Sequence, residues 1–279
     1  MFRKVKLITL ELANRIKKDD ISAWASQLTF YIILSIFPFL IFLVAMINRI
    51  QFINIDALYT TLDFFPRQIT NLILVLFKDI NESSTSTTLL SITFIATIWA
   101  ASKGFMAIIK ALNIAYDEQE TRSYFFLRGI SIIYTFVLAA LIGFVLLLIV
   151  FGGTIINLLF EYIPILESLG SLITLLRYLV SMFFTFWFFI LIYNATPNKK
   201  ISVKDATPGA IFSTLLWIVV STGFSIYVTN STSLSYLYGS LTSIIVLLLW
   251  LYLTSTIIMI GGELNAIIYH IKALESPKI

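Results

Sequence analysis

Three ionisable side chains, Lys103, Arg177 and Glu263, stand at or near the ends of long uncharged runs, where an ionisable group at hydrocarbon depth is costly and therefore informative. Each could hold a substrate headgroup or carry a proton, and each could instead snorkel to the membrane surface. Glu263 follows Gly261 and Gly262, which let another backbone approach closely, while Asn265 lies two positions on and need not share its face. Two uncharged constellations join these candidates. Tyr31, Ser35 and Pro38 are spaced by four and three residues, so they share one face of a helix that the proline should bend. Such a bend either lines a hinge or cavity or is simply tolerated in a membrane helix. Ser213, Trp217, Ser221 and Ser225 recur every fourth residue, a polar seam that must face protein or water. It serves either as packing glue or as a solvated substrate path.

No catalytic residue and no metal or cofactor site is expected. The chain has no cysteine and one histidine, His270, so it can build neither a disulfide framework nor a thiolate or multi-histidine metal site. Phosphate-loop and H-E-x-x-H patterns are absent from the sequence, and no nucleophile–histidine pairing stands out. Enzymatic chemistry has little to stand on.

The elements that position these residues follow from composition. Of 279 residues, 59% are hydrophobic and 12% charged, against about 45–50% and about 25% in soluble domains, which excludes a water-soluble globular protein. A helix needs roughly 20 apolar residues to cross the bilayer. Uncharged runs of that length predict an all-α, polytopic membrane protein with six spans, at about 28–47, 84–102, 129–152, 172–194, 207–229 and 241–261, in a single transmembrane domain. The first run is too long for a cleavable signal peptide. For the 207–229 helix, Thr207 is the expected N-cap and Pro208 the first helical residue. Ala139 and Gly143 fit a small-xxx-small packing pair. Three amphipathic stretches are expected to lie at the interface: Val5, Ile8, Leu12 and Ile16 in the 1–20 segment; Ile69, Leu72, Ile73, Leu76, Phe77 and Ile80; and Phe105, Ile108, Ile109, Leu112 and Tyr116, read as an elbow.

Fifteen of the 19 Lys and Arg residues fall in the segments that share a side with both termini, which predicts cytoplasmic termini, with 262–279 as a cytoplasmic tail. The net charge of +4 is then explained by topology and calls for no nucleic-acid partner. Asn230-Ser231-Thr232 fits a glycosylation acceptor but reads as a loop.

Taken in order, a further set of residues is specific: Ala25-Ser26-Gln27-Leu28-Thr29-Phe30-Tyr31 running to Ser35-Ile36-Phe37-Pro38; Trp99-Ala100-Ala101-Ser102-Lys103-Gly104-Phe105 with Ala111-Leu112-Asn113; Tyr193 with Pro197; Pro208-Gly209-Ala210; Trp217, Tyr227 and Tyr238-Gly239; Leu249-Trp250-Leu251-Tyr252-Leu253; and Gly261-Gly262-Glu263-Leu264-Asn265. Over nearly the whole chain this resembles the YihY/BrkB family of bacterial inner-membrane proteins, once labelled ribonuclease BN. The second glycine before Glu263 is a mild departure from the family pattern. The resemblance implies a six-helix plasma-membrane protein associated with transport or export, without an established substrate. The leading expectation is a transporter of a lipid-like or amphipathic substrate. A cation/proton antiporter and a non-transporting membrane scaffold are the alternatives. The expected partners are the lipid bilayer and such a substrate, and a homo-oligomer is compatible with the sequence.

Overall fold

The computed structural model describes residues 2–49, 87–162, 170–230 and 241–275, and the regular structure in them is helical throughout. Seven helices follow one another: α1 (Phe2–Lys18), α2 (Ile21–Arg49), α3 (Thr87–Ala115), α4 (Tyr124–Tyr162), α5 (Gly170–Ala195), α6 (Val203–Asn230) and α7 (Thr242–Glu275). Among the described residues five stretches are long and apolar enough to cross a membrane, at 90–115, 124–141, 170–195, 203–228 and 244–274, and α2 adds the shorter apolar stretch Ile21–Ile36. The chain is an all-α, polytopic membrane protein. The 69–80 stretch and the loop after Asn230 lie outside the described residues.

Local signals set the turns. Asp20 takes a left-handed conformation (φ 49°) between α1 and α2, and its carbonyl accepts the N–H groups of Ala23 (2.9 Å) and Trp24 (3.2 Å) at the start of α2. At the end of α3, Asp117 is also left-handed (φ 54°); the Glu118 N–H reaches the Asn113 carbonyl (2.9 Å) and the Asp117 N–H that of Ile114 (3.0 Å), the 6→1 and 5→2 bonds of a Schellman cap. Aspartate stands where glycine is usual, because its short polar side chain tolerates that conformation.

Three sequence expectations are corrected here. The 105–116 stretch is no interfacial elbow: α3 runs unbroken to Ala115, and Phe105, Ile108, Ile109, Leu112 and Tyr116 are buried in the core. Its apolar stripe reflected protein contact, which periodicity cannot distinguish from lipid contact. Nor does α6 begin at Thr207. It starts at Val203, capped by Ser202, whose hydroxyl accepts the Asp205 N–H (3.2 Å) and donates to the Asp205 carboxylate (2.6 Å), leaving Pro208 inside the helix. Finally, the segment from 262, set apart from the last span as a tail, continues the same helix: α7 runs through it to Glu275, burying Glu263, Asn265, Ala266 and Ile267.

Packing is extensive between α2 and α3, α6 and α7, α5 and α6, and α2 and α7, with α1 laid against α7. The hydrophobic effect does not drive helices together inside lipid, so close contact through small residues matters more. Ala25, Ala107, Ala111, Ala206, Ala210 and Ala266 are all buried at these contacts. The core gathers toward one end of the bundle, where Leu112 of α3 and Tyr116 just beyond it, Phe189 and Tyr193 of α5, and Met259 and Ile267 of α7 are fully enclosed. Many apolar side chains elsewhere, among them Ile92, Val219 and Ile226, are exposed, as lipid-facing residues are.

Candidate functional site

Glu263 is 0% exposed, and neither carboxylate oxygen accepts a hydrogen bond among the described residues. Gly261 and Gly262 bring it to that depth. A Cβ at Gly262 would strike Leu112 of α3, and one at Gly261 would strike Ser213 and Tyr193, so α7 settles against α3, α5 and α6 only without side chains there. The cation facing the carboxylate comes from α1: Arg15 Nη1 lies 3.8 Å from Glu263 Oε2. Arg15 is held by further contacts, donating to the carbonyl of Ala115 (2.8 Å), to Glu11 (3.2 Å) and to Asp117 (3.5 Å). His270 Nε2 lies 3.5 Å from the same Asp117 oxygen.

Among the described residues three further polar groups in this region have no hydrogen-bond partner, one carboxylate oxygen of Asp19, the hydroxyl of Tyr116 and Nε2 of His270. Burial pushes the Tyr116 phenol well above its usual range, with Asp205, Tyr269 and Glu263 adding to the effect, so it remains a neutral O–H. Asp19 and Asp117 bring negative charge near Glu263, and Arg15 and Lys18 bring positive charge. An ionised carboxyl deprived of donors in such surroundings is costly, and taking up a proton or a cation relieves that cost. The chemistry open to such a carboxyl is therefore reversible uptake of a proton or a cation. Among the described residues no three His, Asp or Glu side chains converge as a metal ion would need.

A second polar centre lies behind it. The Tyr193 hydroxyl donates to the Ile258 carbonyl (2.9 Å) and pairs with the Ser213 hydroxyl (2.7 Å). Asn265 joins α7 to the proline-containing start of α6, accepting the Gly209 N–H (2.6 Å) and donating to the Ala206 carbonyl (3.0 Å). Proline inside a helix leaves a carbonyl without its usual donor, and a side chain from a neighbouring helix steadies the disturbed turn. Gly209 permits this, since a Cβ there would overlap the Gly261 carbonyl and the Asn265 amide.

A third network closes the same end of the bundle and is saturated. Asn113 donates to Glu120 (2.8 Å) and accepts the Asn198 N–H (2.7 Å). Arg122 holds Glu120 through two side-chain bonds (2.8 and 2.7 Å) and reaches the Thr196 carbonyl (3.2 Å). The Asn198 amide donates to the Gln119 carbonyl (2.8 Å) and the Thr121 hydroxyl (2.9 Å). Arg122 holds the Glu120 carboxyl below the ordinary carboxylate range.

The residues singled out from sequence do not form one site. Tyr31 is half-buried, with the Lys103 amine 5.9 Å from its ring centre. Ser35 donates to its own helix at Ile32 (2.7 Å), and α2 continues through Pro38. The α6 seam divides. Ser213 is buried in the tyrosine centre, Trp217 packs edge-on to Trp250 (6.2 Å), Ser221 accepts the Trp250 indole N–H (3.3 Å), and Ser225 is exposed. Ser213, Trp217 and Ser221 thus all make contacts from α6 to α7. The Arg177 side chain lies outside the described residues. Arg15, Asp19 and Tyr116 are not legible as site residues in the sequence: Arg15 is one of several basic residues in the 1–20 segment, and nothing in its spacing points to α7. Beyond the polar centres, a shallow apolar groove lies at the surface between α5 and α6, lined by Leu179, Met182, Phe183, Phe186, Ile211, Thr214 and Leu215.

The profile of the virulence factor BrkB family matches residues 12–278. The ribonuclease-like protein YfkH of Bacillus subtilis is 35% identical over 270 residues, 96% of this chain and 98% of its own length. A UPF0761 membrane protein of Chromohalobacter salexigens is 27% identical over 266 residues, covering 92% of this chain and 62% of its own. Another, from Pseudoalteromonas translucida, is 34% identical over 110 residues, 39% of this chain and 35% of its own. No solved structure matches.

Proposed function

The chain belongs to the virulence factor BrkB family of membrane proteins, and from that premise we propose that it is a transporter of a lipid-like or amphipathic substrate, coupled to a cation through Glu263. The single observation that carries the reading is the fully buried, unhydrogen-bonded Glu263 carboxyl facing Arg15. Proteins rarely keep such a group at depth unless its change of charge is used. The apolar groove between α5 and α6 supports the substrate class, because its lining is almost wholly apolar and suits an acyl tail. In this reading the protein crosses the bacterial plasma membrane six times with both termini in the cytoplasm, an orientation that the Lys and Arg distribution supports, and it is not an enzyme.

The test uses the full chain in proteoliposomes holding fluorescent phosphatidylglycerol under an imposed pH gradient. Protein-dependent redistribution of the probe that the gradient accelerates, and that Glu263→Gln abolishes at equal protein content, is the expected result. Redistribution that is absent in the wild-type protein, or unchanged in the variant, overturns it. A second reading, cation/proton exchange without an organic substrate, is favoured by the same carboxyl. It predicts that everted vesicles carrying the wild-type chain change internal pH on cation addition while the lipid probe stays still.

A further inference from the structure

Arg128, the fifth residue of α4, is only 6% exposed. Its guanidinium lies 3.8 Å from the centre of the Trp99 ring, one terminal nitrogen donates to the Trp99 carbonyl (3.0 Å), the other contacts the Met106 sulfur (3.5 Å), and Nε has no acceptor. No carboxylate pairs with it among the described residues. A guanidinium so enclosed and unbalanced is costly; an anion supplied from outside the chain would balance it.

The neighbouring surface of α3 has the form of a phospholipid. Ile92, Ile95, Trp99, Lys103, Met106 and Lys110 follow at spacings of three and four, which places them along one face of the helix. The first three are 59%, 62% and 50% exposed, an apolar track suited to an acyl chain. Beyond Trp99 the face turns cationic, with Lys103 half-buried and Lys110 exposed, and neither forms an ion pair among the described residues. Lys103 and Arg128 also mark the ends of the uncharged runs of α3 and α4. Both therefore stand at the level where hydrocarbon gives way to headgroups, beside a tryptophan of the kind that favours that level. The start of α4 adds exposed Tyr124, Phe125 and Phe126 there.

We propose that this face is a binding site for an anionic phospholipid, with the phosphate held by Lys103 and the field of Arg128 and the acyl chain laid along Trp99, Ile95 and Ile92. A free phosphate would use the cations but leave the apolar track unexplained; a lipid accounts for both. The site is distinct from Glu263, and the inference does not depend on transport.

Purified, delipidated full chain is offered equal amounts of phosphatidylglycerol and phosphatidylcholine, and retained lipid is read by native mass spectrometry. Wild-type protein should prefer phosphatidylglycerol. One charge near the membrane surface corresponds to roughly a fivefold change in affinity, so Lys103→Gln should cut the preference about fivefold, and Lys103→Gln with Arg128→Gln should erase it. Inorganic phosphate should displace no more lipid than chloride of equal ionic strength. Preference that survives in the folded variants overturns the proposal, as does specific displacement by inorganic phosphate, which would mark a free-anion site. Should Arg128→Gln fail to fold, Lys103→Gln decides alone, because that side chain is only half-buried.

Discussion

Two buried polar regions at the same end of the bundle have opposite characters. Around Asn113, donors meet acceptors: Glu120, Arg122, Thr196 and Asn198 are joined by bonds of 2.7 to 3.2 Å. Around Glu263, the two carboxylate oxygens, one Asp19 oxygen and the Tyr116 hydroxyl find no hydrogen-bond partner. A saturated network rigidifies the joint between the α3–α4 and α5–α6 connections, because moving any member breaks several bonds together. An unsaturated one keeps a free-energy difference available for a ligand. The contrast assigns stability to the first region and work to the second.

The sharpest way to break this contrast is Glu263→Gln. It removes the charge while keeping the shape, so coupled flux should fall at least about 100-fold, while melting temperature and membrane abundance hold, since Arg15 keeps Glu11 and Asp117 as partners and a neutral amide is cheaper to bury than a carboxylate without hydrogen bonds. A variant that loses abundance and keeps flux per molecule would reverse the assignment. Asn113→Ala should do the opposite. It strips donors and acceptors from Glu120 and Asn198 and should cost about 2–4 kcal/mol of stability, measured by denaturation in detergent, with flux per folded molecule preserved.

Gly261→Ala tests the close approach of α7 to α5 and α6 that brings Glu263 to its depth. Its methyl group would fall on Ser213 and Tyr193, and overpacking of this kind costs about 1–3 kcal/mol, again read by denaturation. The smallest effect expected is a pH dependence. Arg122 holds the Glu120 carboxyl below its ordinary value of 4.5, so its contribution to stability is complete above that value and is lost as pH falls through the lowered folded value. Melting curves of wild-type protein should therefore weaken on acidification below about 4.5 more than those of Glu120→Gln. Equal slopes would remove Glu120 from the structural network.

Much of the helical layout was legible, because a long uncharged run has few alternatives to a membrane helix. Glu263 was legible as a candidate for the same reason: one acid after a long apolar stretch stands out. The partner was not. Arg15 is one of six basic residues in the N-terminal segment, and its spacing carries no mark of the contact with α7 across nearly the whole chain. The 105–116 stripe went astray in the other direction, since an apolar face looks alike whether protein or lipid covers it. The Thr207 cap failed because Pro208 is a good first-turn residue, yet Ser202 and Asp205 form a stronger start one turn earlier.

By itself, then, the sequence determined that this protein lives in a membrane, which segments are helical and which residues are too polar to lie there without a reason. Those follow from the cost of burying charge and unpaired backbone in hydrocarbon, a cost written residue by residue. Only the tertiary structure decided that Glu263 faces Arg15, that Asn265 braces the turn at Pro208, and that Arg128 stacks on Trp99 with no acid to balance it among the described residues. Helical periodicity fixes the direction a side chain points from its own axis and says nothing of which helix stands opposite.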